Sequence, residues 1–318
     1  MDDRLSELPE HLLHRILSFV DSKTTVETNL LSRRWRSVWK GVPALNINRR
    51  SFHSFPTFTQ FVSHVLSRRH DSAGIEEITF RLDTWPSPFT EAGLMYGRLF
   101  DYAASHGNLL RLRTVDCYPE HVWKRFVPKA YAFRTLVTLH LEGCDAYGGQ
   151  MLTDRGSGRV DPFAGFPCLR DLTLVRWYWV VDDSGFKASV RISGIQLRNL
   201  TVEYVEPEVE IFAPNLESLC YKDVVWRSGF GDAHYMPSLD RACVRISGHR
   251  HLAIPENRDS AWLITPVAVR EAAGSLMKLF QGLHSARKLE LHLDTVKRYP
   301  IKWPPMVEEA KLEIMKKG

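Results

Sequence analysis

One short pattern recurs so often that it governs every reading of this 318-residue chain: an apolar residue, two variable ones, an apolar residue, a variable one, an apolar residue. It stands at Ile75-Ile78-Phe80, Leu109-Leu112-Thr114, Leu136-Leu139-Leu141, Leu169-Leu172-Leu174, Leu197-Leu200-Val202, Leu216-Leu219-Tyr221, Leu239-Ala242-Val244 and Ala286-Leu289-Leu291. The last two apolar positions of each copy are two residues apart, which is the period of a strand with one buried face. A unit this short has too little apolar surface to stand alone, so the copies must stack. The expected product is a curved α/β solenoid over residues 75–318, with a parallel sheet along its concave face.

Three copies carry a second mark: Pro167-Cys168-Leu169, Pro214-Asn215-Leu216 and Pro237-Ser238-Leu239. A proline there ends the preceding element, and a strand is expected two residues later. Copies start 19 to 47 residues apart, straddling the roughly 20–29 residues of leucine-rich repeats, so the array is degenerate and carries insertions. The outward positions would include Thr138 and His140, Asp171 and Thr173, Asn199 and Thr201, Ser218 and Cys220, and Glu290 and His292. That face is mixed and mostly neutral and names no ligand. His140, Asp171, Thr173, Asn199 and Thr201 are the candidate target-binding residues.

The first fifty residues read differently. Pro9 suits a first helical turn, and Leu12, Leu13, Ile16, Leu17 and Val20 follow at helical spacing. Thr24-Thr25-Val26-Glu27 has the form of a capping box, which predicts a second helix from Thr24. Along that helix Leu31, Trp35 and Val38 form a stripe, with Leu30 and Trp39 beside it and Arg33, Arg34, Arg36 and Lys40 in the gaps. Ala44 to Phe58 reads as a connector, and Phe58, Phe61, Val62, Val65 and Leu66 predict a linking helix within 51–74.

Two blocks in this region, Leu8-Pro9-Glu10-His11-Leu12-Leu13-His14-Arg15-Ile16-Leu17-Ser18-Phe19-Val20 and Leu31-Ser32-Arg33-Arg34-Trp35-Arg36-Ser37-Val38-Trp39, closely resemble the F-box motif of plant F-box proteins. The resemblance implies a three-helix F-box over residues 1–50 that packs on a Skp-type adaptor and, through it, joins a cullin-RING ligase. Carried over by position, the adaptor contacts are Leu8, Pro9, Leu12, Leu13, Ile16, Leu17, Leu31 and Trp35. Some of these must instead hold the helices together, because a unit of about forty residues can hardly complete its own core. Phe58 to Arg68, Thr135 to Cys144 and Ala213 to Leu219 resemble the leucine-rich part of plant F-box/LRR proteins. Many members continue into an FBD segment; none is identified before Lys316-Lys317-Gly318, which implies a shorter member or a truncated product.

Charge adds little. Lys plus Arg number 42 against 37 Asp plus Glu, for a net +5 with no long block of one sign. No run approaches eighteen apolar residues, and Met1-Asp2-Asp3-Arg4 lacks the pattern of a secretory leader, so a nuclear or cytoplasmic protein is expected. The five cysteines, with no C-x-x-C pair, predict reduced and mostly core-facing thiols. Phosphate-loop, dinucleotide, zinc-protease and hydrolase motifs do not occur. Gly148-Gly149 and Gly156-Ser157-Gly158 read as an inter-repeat loop, and His249, His251 and Glu256 as a surface turn around Arg250 and Pro255. Trp177-Tyr178-Trp179 cannot all point inward in one extended segment.

These readings favour a non-catalytic, cofactor-free substrate-recruiting subunit of an SCF-type ubiquitin ligase, with an unidentified protein target. The alternative is a scaffold of the same architecture whose partners are not degraded. A nucleic-acid binder using Arg33, Arg34, Arg36, Lys40, Arg49 and Arg50, and a small-molecule receptor, are weaker competitors.

Overall fold

Four short α-helices open the chain, and what caps them differs from the sequence expectation. The structure is a computed structural model that describes residues 7–70, 74–82, 95, 98–99, 101–102, 105, 108–115, 133–143, 145–148, 159–181, 189–205, 208–224, 230–247, 274 and 277–294. Helix α1 (Glu10–Leu17) has Pro9 as its N-cap, at φ −54° and ψ 146°, so the proline sits just outside the first turn; its carbonyl accepts from the amides of Leu12 and Leu13 at 3.0 and 3.2 Å. Helix α2 (Ser22–Glu27) starts two residues before the expected capping box, because the Asp21 carboxylate accepts from the Lys23 amide at 2.8 Å. A stronger cap lies upstream, and Thr24 and Glu27 fall inside the helix.

The long basic helix expected from Thr24 is not continuous. A 3-10 turn (Thr28–Leu30), helix α3 (Trp35–Val38) and a second 3-10 turn (Trp39–Gly41) take its place. The region thus holds three α-helices and two 3-10 turns. The breaks have a local cause: Thr24, Thr25, Val26, Thr28, Asn29 and Ser32 all have weak helix propensity, and segments this short rely on packing. Helix α4 (Phe55–Arg68) is the linking helix, begun by Ser54, whose hydroxyl accepts from the Thr57 amide, and by Pro56 in its first turn.

The stretch read as a connector contains a strand. Strand β1 (Ala44–Asn48) pairs parallel with β2 (Glu77–Arg81), matching Leu45 to Ile78 and Ile47 to Phe80. Val42-Leu45-Ile47 has the same spacing as the eight copies, and all three are buried; it is a ninth copy. The backbone agrees: the Pro43 carbonyl accepts from the amides of Glu76 and Glu77, just as that of Glu76 accepts from Leu110 and Arg111.

The remaining strands are β3 (Arg111–Val115), β4 (Thr138–Glu142), β5 (Asp145–Gly148), β6 (Arg159–Val160), β7 (Asp171–Val175), β8 (Tyr178–Val181), β9 (Ser189–Ser193), β10 (Asn199–Glu203), β11 (Val209–Phe212), β12 (Ser218–Val224), β13 (Phe230–Tyr235), β14 (Arg241–Ser247) and β15 (Lys288–Asp294). The chain divides into two units, Met1–Tyr147 with Gly165–Leu169, and Gly148–Ala164 with Arg170–Gly318. In the first, β1, β2, β3 and β4 lie side by side and parallel, with Ile78, Leu112 and Leu139 in one row and Phe80, Thr114 and Leu141 in the next. Every one of these is buried, Thr114 included.

In the second unit the order is β7, β10, β12, β14, β15, again parallel. Leu172, Leu200, Leu219, Ala242 and Leu289 share one row, and Leu174, Val202, Tyr221, Val244 and Leu291 the next. All eight motif copies therefore become strands, in one common register within each unit, because a slip by one residue would turn each apolar set outward. The return path is a second parallel sheet in the order β13, β11, β9, β6, which buries Val190, Ile192, Val209 and Ile211.

The proline marks are turns. The amides of Leu169, Leu216 and Leu239 donate to the carbonyls of Phe166, Ala213 and Met236, so each proline occupies the second position of a β-turn, where its fixed φ is already suitable. The strands start four residues after the prolines, not two.

Candidate functional site

The apolar residues of the first helices separate into two sets. Leu13, Leu17, Trp35, Val38 and Val42 form a buried cluster against which Leu8 and Ala44 pack. Leu13 and Leu17, four apart on α1, face inward, while the neighbouring pair Leu12 and Ile16 faces out at 38% and 43% exposure. Gly41 lets the second 3-10 turn approach α1 closely; a Cβ there would lie 2.7 Å from the His14 ring. Trp39 is buried and stacks on His64 of α4 with ring centroids 6.4 Å apart.

Leu13, Leu17 and Trp35, expected as partner contacts, thus build the core that holds the outer face in place. Pro9, Leu12, Ile16 and Leu31 present that face, and Leu8 lies half-buried between the two sets. Phe19 at 80% and Leu30 at 83% exposure join it. Both stand in or beside the N-terminal blocks, and Phe19 follows Ile16 by three residues, the spacing that continues an exposed stripe. Exposed large apolar side chains grouped within one short segment form a candidate interaction site.

Three of the arginines in and after this region have structural partners. The Arg34 guanidinium donates to the Leu8 carbonyl, and Arg49 donates to the Phe52 carbonyl and lies over the Phe58 ring. Arg69, buried at the end of α4, donates to the Val42 carbonyl; burial pulls its pKa down from the usual arginine value, with the neighbouring Tyr102 opposing.

The outward rows of the sheets hold the other candidates. In the first unit, His140 Nε2 lies 3.2 Å from Glu142 Oε2, which Arg113 approaches at 3.6 Å. In the second unit, Asn199 Nδ2 donates to Asp171 Oδ1 at 2.6 Å, and Thr173 and Thr201 are register partners one row further along. The geometry brings Asp171, Thr173, Asn199 and Thr201 into one block, and His140 belongs to the other unit.

Cys117 and Cys144 lie outside the described residues, and the other three thiols are less buried than expected. Cys168 is exposed, and Cys220 and Cys243 are half-exposed register partners on the outward face of β12 and β14. Burial, then the nearby Cys243 and Glu203, pushes the Cys220 thiol up. Trp177 is fully buried against Phe163, with ring centroids 5.9 Å apart. The side chains of Tyr178 and Trp179, Gly149, the Gly156-Ser157-Gly158 stretch, and the His249, His251 and Glu256 group lie outside the described residues. Among the described residues no helix is long and apolar enough to cross a membrane.

Residues 5–45 match the model of the F-box domain. A putative F-box/FBD/LRR-repeat protein of Arabidopsis thaliana is 28% identical over 279 residues, covering 80% of this chain and 61% of that protein. This chain carries an F-box match and is similar to plant F-box/LRR-repeat proteins. A putative FBD-associated F-box protein of the same plant is 28% identical over 265 residues, covering 77% of this chain and 60% of that one. A third Arabidopsis relative, an F-box protein, is 47% identical over 60 residues, 19% of this chain and 15% of its own length. The chain spans about three fifths of the length of the first two of these relatives. F-box proteins generally act as substrate adaptors of SCF ligases, binding a Skp-type subunit, and family members of this kind are typically non-catalytic.

Proposed function

We propose that this F-box/LRR chain is a substrate-recruiting subunit of an SCF-type ubiquitin ligase. Exposure of Leu12, Ile16, Phe19, Leu30 and Leu31 around a core of Leu13, Leu17, Trp35, Val38 and Val42 carries the reading. Burying one such side chain at an interface contributes roughly 1.5–3 kcal/mol, so a few of them dominate the affinity for the adaptor. The repeat strands supply the target-binding part, with His140, Asp171, Thr173, Asn199 and Thr201 on their outward rows. The mechanism is proximity: a target held beside the ubiquitin-loaded enzyme meets it at high effective concentration, with no active-site residue needed in this chain.

The test is affinity purification of the full chain beside its Leu12→Ala/Ile16→Ala/Leu31→Ala variant, read by mass spectrometry. Loss of a Skp-type adaptor and cullin from the variant, with repeat-bound proteins retained, is expected. Undiminished adaptor recovery with a correctly folded variant overturns the proposal.

A further inference from the structure

The outward row of β12, β14 and β15 gathers a set of side chains that the adaptor reading does not use. Cys220, Cys243 and Glu290 are consecutive register partners, one on each strand. His292 follows Glu290 by two residues on β15 and so projects from the same face. One ligating atom from each of Cys243, Glu290 and His292 lies within 4.8 Å of the other two. Cys220, the register partner of Cys243, stands beside this group on the neighbouring strand.

We propose that Cys243, Glu290 and His292, with Cys220 as fourth ligand, form a zinc site on the outer face of the second unit's sheet. The donor chemistry selects the metal. Two sulfurs, an imidazole and one carboxylate suit a soft to borderline ion that accepts tetrahedral geometry, whereas magnesium and calcium demand a mostly oxygen shell. Zinc bonds of about 2.0–2.3 Å place tetrahedral ligand atoms roughly 3.5 Å apart, so rotation of the exposed Glu290 and His292 side chains closes the remaining gap. Two thiolates and a carboxylate carry more negative charge than a divalent ion neutralises. Arg245, the register partner of His292 and two residues from Cys243 on the same face of β14, balances the excess.

The site's position suggests what it does. The chain leaves β14 at Ser247 and returns only at Lys288 to form β15, the last strand of the sheet order. Closing a connection this long costs conformational entropy before the strand gains its partner. A metal bridging β12, β14 and β15 fastens the final strand by cross-strand ligation, in the way structural zinc stabilises small folds.

The probe is zinc(II) alone, titrated into the chelator-stripped full chain under reducing conditions in competition with a chromophoric chelator, with cobalt(II) as spectroscopic substitute. One equivalent is expected per chain, with a thiolate-to-cobalt charge-transfer band and intense four-coordinate visible bands. Cys243→Ser and His292→Gln should each weaken binding by more than about tenfold, and Cys220→Ser should lower the charge-transfer intensity. Cys168→Ser, which alters the exposed thiol of the other unit, should change nothing. Zinc should raise the melting temperature of the native chain well above any shift in His292→Gln, since the native chain binds it more tightly. The proposal falls if the reduced chain retains no zinc, or if binding persists undiminished in folded Cys243→Ser and His292→Gln.

Discussion

At the scale of single residues, sequence neighbours in this protein have opposite roles. Leu12 and Leu13 are adjacent and chemically identical, yet the first is 38% exposed and the second fully buried. Leu13→Ala removes core volume and should cost about 2–5 kcal/mol of stability, while Ile16→Ala should barely move the denaturation midpoint and should instead weaken adaptor recovery. Chemical denaturation paired with co-purification separates the two, and equal destabilisation would contradict the assignment of faces. Asp161 gives a pH prediction. It accepts from the amides of Phe163 and Ala164 at 3.1 and 3.0 Å and from the Ser193 hydroxyl, but burial outweighs these bonds and raises its pKa above 3.8. A raised carboxyl pKa means that the folded state holds the proton more tightly than the unfolded one. Stability is therefore lost as pH rises from the usual carboxylate range through the folded pKa. Asp161→Asn should flatten that part of the stability–pH curve, measured by thermal unfolding between mildly acid and neutral pH.

At the scale of elements, β1 ties the F-box to the repeats. It pairs with β2 along its whole length, and the Ser22 hydroxyl of α2 accepts from its Asn46 amide at 2.9 Å. A fragment starting at residue 52 exposes the unpaired edge of β2 and should aggregate. A fragment starting at residue 42 keeps that edge covered and should remain more soluble by light scattering; equal behaviour would show that β1 does not protect the sheet. The spacing of Val42, Leu45 and Ile47 made this strand readable in advance, but Asn46, Asn48 and the arginines beside them gave the stretch the composition of a loop. The reverse error occurred at Thr24, where a local capping signal was overridden by Asp21, whose cap lies three residues upstream.

At the scale of the whole molecule, adaptor capture and target capture must coexist in one chain for recruitment to occur, and the scaffold alternative differs only in outcome. Removing the protein should lengthen the half-life of proteins that its repeats retain, followed by cycloheximide chase; unchanged turnover would favour the scaffold. The sequence by itself determined the eight repeat strands, though not the second sheet, since period-two apolar spacing allows one face to be buried and a one-residue slip would expose it. It also carried the F-box, through two blocks of fixed residue types. Only the tertiary structure decided which apolar residues of α1 turn inward, because a helix with apolar residues on adjacent faces offers both to a core until its neighbours choose. It likewise decided that Cys243, Glu290 and His292 meet, with Cys220 on the strand beside them. Residues from three strands, far apart along the chain, become neighbours through parallel pairing alone, and spacing within any one segment holds no trace of it.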